Sequence, residues 1–393
     1  MDKRTIENID VYNKKVLLRV DFNVPLKNGV ITDDNRIKEE LPTIKYLLNN
    51  GAAVIVMSHL GRPDGEKKLE YSLKPTAVRL GELLGIEVKF AEDCIGAQTK
   101  KMAKALKPGE VLMLENLRFY NAEEENDKAF SEKLAALADV YVNDAFGTAH
   151  RKHASTYGVA KLLPNAVGFL IEKELKNIVD VINNPRRPFV GILGGAKVSD
   201  KITIVESLLN KVDVLIVGGA MAYTFLSAQN YNMGKSKVEA DMIGEAKRLL
   251  ELANTKGVTL MLPVDHVVTD NFDNPTKICN TKNPSISNEM LGVDIGKVTV
   301  KQYKNAIKKA KTVVWNGPMG VFENEKFAAG TKAIARALAK TKATTIVGGG
   351  DSAAAVIKFG YAKKITHIST GGGASLKLFE GKVLPAVDVI DNV

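Results

Sequence analysis

In the first half of the chain, cationic side chains recur just after short apolar runs. The first place is Arg19-Val-Asp21-Phe-Asn23-Val-Pro25 and the second Ser58-His59-Leu60-Gly61-Arg62-Pro63. The third is Glu115-Asn-Leu-Arg118-Phe119, and the fourth runs from Asn143 through Gly147 and His150 to Arg151 and His153. Arg36 lies in the loop-rich stretch 32–36. The planar, permanently charged fork of arginine suits bidentate capture of a carboxylate or phosphate. If the four runs are neighbouring strands, Arg36, His59, Arg62, Arg118 and Arg151 converge on a pocket for a small anion. Asp21 and Asn23 then orient substrate hydroxyls and the arginines. Any one of these arginines alone reads as a surface or salt-bridging residue; their recurrence at strand ends is what points to a site. Arg19, inside its run, reads as structural, and Glu123, Glu124 and Glu125 as a solvated helix start. His150 and His153 form an HxxH pair without a third ligand motif, so a hydrogen-bonded structural role is expected for both.

The second half uses glycine where the first uses arginine. Gly194-Gly195-Ala196-Lys197-Val-Ser199-Asp-Lys201 follows an apolar run. Glycines let backbone approach a ligand closely, and a helix starting near Ser199 would aim its N–H groups at an anion. Lys197 and Lys201, four apart, share a helix face. GxxxxGK[ST] is not satisfied, which argues against a P-loop. Gly348-Gly349-Gly350-Asp351-Ser352 and Ser369-Thr370-Gly371-Gly372-Gly373-Ala374 are two further turns whose backbone N–H groups, at Gly349, Gly350 and 371–373, can donate to phosphates. Ahead of both, Asn316 and Glu323 flank a Gly-Pro turn and suit ribose or phosphate contacts. Asp351 is the magnesium candidate, since a hard cation on phosphates takes one or two carboxylates; the other reading of Asp351 is an N-cap. Gly348-x-Gly350-x-x-Ala353 also fits the loose dinucleotide fingerprint, so a nicotinamide-dependent dehydrogenase is the alternative. Against it, the next acidic residue after Asp351 is Glu380, not one about 20 positions on.

The elements that must hold these residues are short, continuous, β-branched runs. They cover 16–20, 53–57, 111–114 and 140–142 in the first half, and 189–193, 214–217, 259–262, 312–315, 344–347 and 365–368 in the second. Such runs fit strands buried on both faces of parallel sheets. The intervening segments have helical spacing, as in Ile202, Val205, Leu208 and Leu209. The alternation predicts an α/β architecture of two doubly wound lobes, each a mostly parallel sheet flanked by helices. Leu175, Ile178, Val179 and Ile182 mark an amphipathic helix that Pro185 should end. The expected division is an acid-substrate lobe at 1–170, with 376–393 returning to pack near it, a linker helix at 171–185, and a nucleotide lobe at 186–375. Ligands in open α/β sheets bind at the carboxyl ends of the strands.

Composition narrows the class. The formal net charge is +10, which suits nucleic acid, acidic membranes or small anions. No arginine-rich tail or basic–aromatic alternation supports nucleic acid. Two distant cysteines, Cys94 and Cys279, offer no CxxC or Cys/His cluster. The polar start lacks a signal-peptide core, and no apolar stretch reaches the roughly 18 residues that span a bilayer. A cytoplasmic protein with no membrane partner is expected.

The strings RVDFNVP (19–25), SHLGRP (58–63), ENLRF (115–119), NDAFGTAHR (143–151), GGAKVSDK (194–201), LPVD (262–265), WNGPMGVFE (315–323), GGGDS (348–352) and STGGGAS (369–375) together resemble the phosphoglycerate kinase family, in its order and across nearly the whole chain. The resemblance implies Mg2+-dependent transfer between ATP and 3-phosphoglycerate, giving ADP and 1,3-bisphosphoglycerate, by a monomer whose lobes close. Hinges are expected near 168–174 and near the C-terminal return. It places Asp21, Asn23, Arg36, His59, Leu60, Gly61, Arg62, Arg118 and Arg151 at the acid substrate. Lys197, Lys201, Asn316, Glu323, Gly349, Gly350, Asp351 and Ser352 fall at the nucleotide, with Gly292 a further nucleotide contact. Arg36, Lys197, Gly350 and Gly373 fall at the transferring group. Two positions depart from the family pattern: Lys297 stands where proline is usual, and Lys377 where glutamate is usual. A catalytically inactive relative that binds nucleotide or RNA is a second alternative, against which Arg36, Lys197, Lys201 and Asp351 stand intact.

Overall fold

The structure is a computed structural model that describes residues 3–393. Its contacts divide the chain into two compact units. The first runs to Lys176 and takes up Val383–Val393; the second is Asn177–Lys382. The linker expected at 171–185 is helical from Phe169 to Asn183, with a π-helical stretch at Lys176–Asp180. The return, expected from 376, begins at Val383, because the Gly372–Phe379 helix packs on the Ile202–Leu209 helix of the second unit.

The first unit is built on β1 (Lys15–Arg19), the short hairpin β2 (Leu26–Lys27) and β3 (Val30–Ile31), then β4 (Ala53–Met57), β5 (Val88–Ala91), β6 (Val111–Leu114), β7 (Val140–Asn143) and β8 (Asn165–Val167). The main sheet has the order β5-β6-β4-β1-β7-β8, and every pair in it is parallel. Val16, Leu17, Leu18 and all of β4 are buried because helices cover both faces. Each such side chain contributes about 1.5–3 kcal/mol by leaving water. The edge strands β5 and β8 were not expected. One is only half-buried and the other is three residues long, so neither carries the long apolar run of a central strand. Arg36 also departs from expectation. It sits not in a loop but in the first turn of the Asn35–Asn49 helix, whose Ile37, Ile44 and Leu47 face the core. The C-terminal segment is tied to this unit by Ala386 N–H to the Ala149 carbonyl (3.1 Å) and by Asn143 Nδ2 to the Ala386 carbonyl (3.2 Å).

The second unit comprises β9 (Phe189–Leu193), β10 (Val214–Val217), β11 (Thr259–Met261), β12 (His266–Thr269), β13 (Ile278–Asn280), β14 (Leu291–Ile295), β15 (Thr312–Asn316), β16 (Thr344–Gly348) and β17 (His367–Ile368). Six of these form a parallel sheet ordered β11-β10-β9-β15-β16-β17. The other three form an antiparallel sheet, β13-β12-β14, that was not anticipated. Its β13 is exposed throughout, so it lacks the hydrophobic pattern that marks a strand in sequence. The helix expected from Ser199 begins at Ile202 instead. Ile204, with Val205, Leu208 and Leu209, faces the core in place of Ile202. In each parallel sheet the chain order reverses about one strand, β1 in the first unit and β9 in the second. Topology therefore puts a ligand crevice beside the carboxyl ends of those strands.

Candidate functional site

In the first unit β6, β4, β1 and β7 are consecutive in the sheet, so their loops share one rim. His59 is its centre. The imidazole is buried, with Nδ1 3.3 Å from Arg19 Nη2 and 3.9 Å from Asp21 Oδ1. Burial, followed by the guanidinium charges of Arg19, Arg118, Arg36 and Arg151, pushes its pKa well below the usual histidine range. His59 is therefore a neutral hydrogen-bonding group amid four cations. Asp21, also buried, pairs with Arg36 Nη1 through Oδ2 and accepts the Asn23 N–H on Oδ1. Asn23 Oδ1 accepts the Gly61 N–H (2.9 Å), and Arg118 Nη1 donates to the Gly61 carbonyl (2.9 Å). Leu60 is held by both ends of the Asn116 amide, at 3.2 and 2.7 Å. Gly61 has φ +62°, which brings its backbone against the Tyr71 ring.

Three features of the rim bear on binding. Arg118 Nε is buried with no hydrogen-bond partner among the described residues. An unsatisfied buried guanidinium N–H is costly unless a ligand or water meets it. Arg62 is exposed on the same loop as His59. Arg151 donates Nε–H towards His150 Nε2 at 3.3 Å.

The expectation for Glu123 is corrected. It is fully buried, not solvated, and accepts the Ser155 N–H (2.9 Å) and hydroxyl (2.6 Å). It lies 3.9 Å from Arg19 Nη2 and 3.8 Å from His153 Nδ1. The fully buried Arg19 needs a counter-charge, and Glu123 supplies it. Burial raises the Glu123 pKa while Arg19 opposes the shift. His153 is pushed down to about 3 by burial and then by Arg19, Arg118 and Arg151. Among the described residues no group of three or more His, Cys, Asp or Glu could hold a metal ion.

In the second unit the ends of β10, β9, β15 and β16 adjoin, and glycines carry the contacts. Gly194 N–H donates to the Asn316 carbonyl (2.9 Å), Gly195 N–H to the Pro318 carbonyl (3.1 Å) and Gly219 N–H to the Met319 carbonyl (2.9 Å). Asn316 links three elements. Its Oδ1 accepts from Lys201 Nζ, its Nδ2 donates to the Gly348 carbonyl (2.7 Å), and Gly317 N–H donates to Ser352 Oγ. Gly349 has φ +91°, and a Cβ there would meet Asn316 Nδ2 at 2.6 Å. Two helices start at this rim, Gly350–Lys358 and Gly372–Phe379. Their first residues, Gly350 with Asp351 and Gly372 with Gly373, have N–H groups without an intrahelical partner, which is the arrangement that attracts phosphate.

Burial pushes the Lys201 pKa down, and Asp351, Asp200 and Glu380 counter it. Lys197 is exposed on the preceding loop, which Glu239 anchors through the Val198 and Ser199 N–H groups and the Ser199 hydroxyl. Lys297 is the exposed first residue of the Lys297–Lys309 helix, and Lys377 pairs with Glu380 at 3.0 Å.

A cleft of about 660 Å³ opens beside this rim. Gly195, Gly292, Glu323 and Asp351 line it, whereas Lys197, Lys201, Asn316 and Ser352 are not among its walls. It also has walls absent from the sequence expectations: Gly219, Tyr223 and Phe272. Gly219 was legible, because Gly218-Gly219-Ala220 after β10 repeats the Gly-Gly-Ala pattern after β9. Tyr223 and Phe272 carried no such signal. Tyr223 is brought in because Gly292 has no side chain; a Cβ there would overlap the tyrosine ring.

A model of the family described as phosphoglycerate kinase matches residues 6–382. The chain is 57% identical over 395 residues to a protein named phosphoglycerate kinase from Clostridium novyi, covering 100% of this chain and 99% of that one. It is 54% identical over 396 residues to the one from Finegoldia magna, with 100% of both chains covered. The solved structure of phosphoglycerate kinase from Coxiella burnetii superposes with a TM-score of 0.92 at 42% identity, and that from Pyrococcus horikoshii with 0.81 at 36%, each covering 98% of both chains. This chain belongs to the phosphoglycerate kinase family.

Proposed function

We propose that the chain catalyses reversible phosphoryl transfer between ATP and the carboxylate of 3-phosphoglycerate, running towards ATP from 1,3-bisphosphoglycerate and ADP in glycolysis. The observation that carries this reading is the first unit's rim, where four guanidinium groups surround a neutral, buried His59. Such a rim suits a small acid bearing both a carboxylate and a phosphate. Family membership removes the support for a nicotinamide-dependent dehydrogenase.

The attacking carboxylate is already ionised at neutral pH, so no general base is required. Catalysis then consists of alignment and stabilisation of charge on the transferring group. Arg36, held by Asp21, and Lys197 face that charge, and the first-turn N–H groups of Gly350 and Gly373 add donors. Lys201, positioned by Asn316, holds nucleotide phosphates. His59, Arg62, Arg118 and Arg151 bind the acid. Asp351, exposed in the first turn of its helix on the wall of the cleft, fits a Mg2+ ion that takes one protein carboxylate and otherwise phosphate and water oxygens. When bound, the ion neutralises charge on the nucleotide phosphates.

The acid and the nucleotide are assigned to different units, and in-line transfer needs the reacting atoms about 3–3.5 Å apart. The reading therefore includes closure of the two units upon binding both substrates. It also includes a monomer working in the cytoplasm; no helix among the described residues is long and apolar enough to cross a membrane. A coupled assay with ATP and 3-phosphoglycerate tests the reading. Turnover is expected, and nucleotide binding without turnover would instead mark a catalytically inactive relative. Compaction in the ternary complex, read by small-angle scattering, tests closure.

A further inference from the structure

The Asn35–Asn49 helix carries a buried acidic residue one turn after Arg36. Glu40 is fully buried. One oxygen, Oε1, accepts the backbone N–H of Asp21 at 3.2 Å, and Asp21 is the partner of Arg36. The other, Oε2, is buried without a hydrogen-bond partner among the described residues. Of the charged groups around Glu40, Asp144 at the end of β7 acts on it most strongly, followed by Asp21 at the end of β1. Both are carboxyls. A buried carboxylate beside two others, with one oxygen that no donor meets, is costly; the neutral acid, with its O–H turned towards Asp144, avoids that cost.

Asp144 is itself built into the frame. It is fully buried, accepts the Thr43 hydroxyl from the same helix as Arg36, and accepts the Ile171 N–H (2.9 Å) at the start of the Phe169–Leu175 helix. Thr43 Oγ1 in turn accepts the Phe169 N–H at 3.0 Å. Gly168 makes room for this carboxyl, since a Cβ there would lie 2.5 Å from Asp144 Oδ1. Glu40 thus closes a chain of contacts from the Phe169–Leu175 helix, through Asp144, to the Asp21 backbone and the Arg36 guanidinium.

We propose that Glu40 is a positioning residue for acid-substrate binding: as a neutral acid wedged between Asp144 and the Asp21 backbone it sets the Asp21–Arg36 pair, and losing its proton at alkaline pH loosens that site. This inference rests on the functional reading above. Burial and Asp144 push the Glu40 pKa well above the usual carboxylate range, while Asp144 is raised to about 6, chiefly by burial. The proton between them belongs on Glu40, because Asp144 already accepts the Thr43 hydroxyl and the Ile171 N–H whereas Glu40 Oε2 meets no donor. At alkaline pH, a second buried negative charge separates the helix from the end of β1 and carries Arg36 with it.

Glu40→Gln is the discriminating variant. The amide keeps the acceptor for Asp21 N–H, donates to Asp144 and does not ionise. Calorimetric titration of 3-phosphoglycerate into the full chain, from about pH 6 to about pH 9, covers the range in which buried glutamates ionise. Wild type is expected to weaken by about tenfold, the equivalent of one pKa unit of coupling, with KM following and kcat moving less. Glu40→Gln stays flat. Thermal melts give a readout independent of substrate. A carboxyl raised on folding contributes stability that is fully present below its unfolded pKa and lost as pH rises through its folded pKa. The Tm of wild type should therefore fall relative to Glu40→Gln as pH rises. Infrared difference spectra between wild type and Glu40→Gln isolate the Glu40 band from those of Asp294 and Glu123, whose carboxyls burial also raises: a protonated-carboxyl band should be present at neutral pH and bleach together with the affinity. Parallel pH profiles for the two proteins, or a band that does not bleach with affinity, overturn this inference alone. A wild-type chain that neither binds nor turns over 3-phosphoglycerate overturns the functional reading and this inference with it.

Discussion

The two rims present hydrogen-bond donors by different means. The first unit uses side chains: guanidinium groups around an imidazole that burial and their own charge keep neutral, balanced from below by Glu123. The second uses backbone: glycine turns close enough that side chains would not fit, and two helix starts that present N–H groups. The chemistry explains the division. A small acid has a fixed shape that planar, bidentate groups can match. Nucleotide phosphates are spread along a chain, and a row of backbone N–H groups follows them without specifying a single geometry. A side-chain rim costs stability because like charges must be buried and countered. A backbone rim costs conformational freedom, because it tolerates only glycine.

That contrast is sharpened or broken by substitutions whose effects should stay within one unit. Glu123→Gln keeps the shape but leaves Arg19 buried without its counter-charge. A loss of about 3–5 kcal/mol is expected, read as a shift in denaturant midpoint. Nucleotide binding measured below that midpoint should be unchanged; if it weakens equally, the two rims are not independent. Arg36→Ala should lower kcat by about 10²–10³, the cost of removing one charge-stabilising group, with nucleotide Kd unmoved. A nucleotide Kd that rises while kcat holds would contradict the assignment.

Gly349→Ala imposes φ +91° on a residue with a Cβ and presses it on Asn316. About 1–3 kcal/mol of strain is expected, appearing as weaker ATP affinity, and 3-phosphoglycerate affinity should be untouched. Lys377→Ala is the smallest. Its pair with Glu380 is partly exposed, so stability should change by about 0–1 kcal/mol and neither substrate affinity should move. A substantial loss of affinity would mean that the departure from the family pattern at this position acts on a rim.

Much of this is legible in the sequence. The central strands announce themselves because both faces are buried, which requires uninterrupted apolar residues such as those of β4 and β9. The edge strands and β13 escape notice because exposure removes that requirement. Arg36 reads as a loop residue because its helix opens with polar residues, and the Ile37, Ile44 and Leu47 face declares itself only further on. The sequence points to a helix start near Ser199, but that side chain, a common cap, is bound to Glu239, 40 residues away, and the helix begins at Ile202.

By itself the sequence determined which residue types follow each strand: arginine and histidine in one half, glycine and lysine in the other. Those types are local properties, set by what a turn can adopt and what a side chain can carry. Only the tertiary structure decided which of these charges would be buried. Glu123 and Glu40 look like surface glutamates in the chain, yet both are fully enclosed. One balances Arg19, and the other is held neutral between Asp144 and Asp21. Burial depends on what the rest of the fold packs against a position, and the cost of desolvating a charge follows from that packing alone.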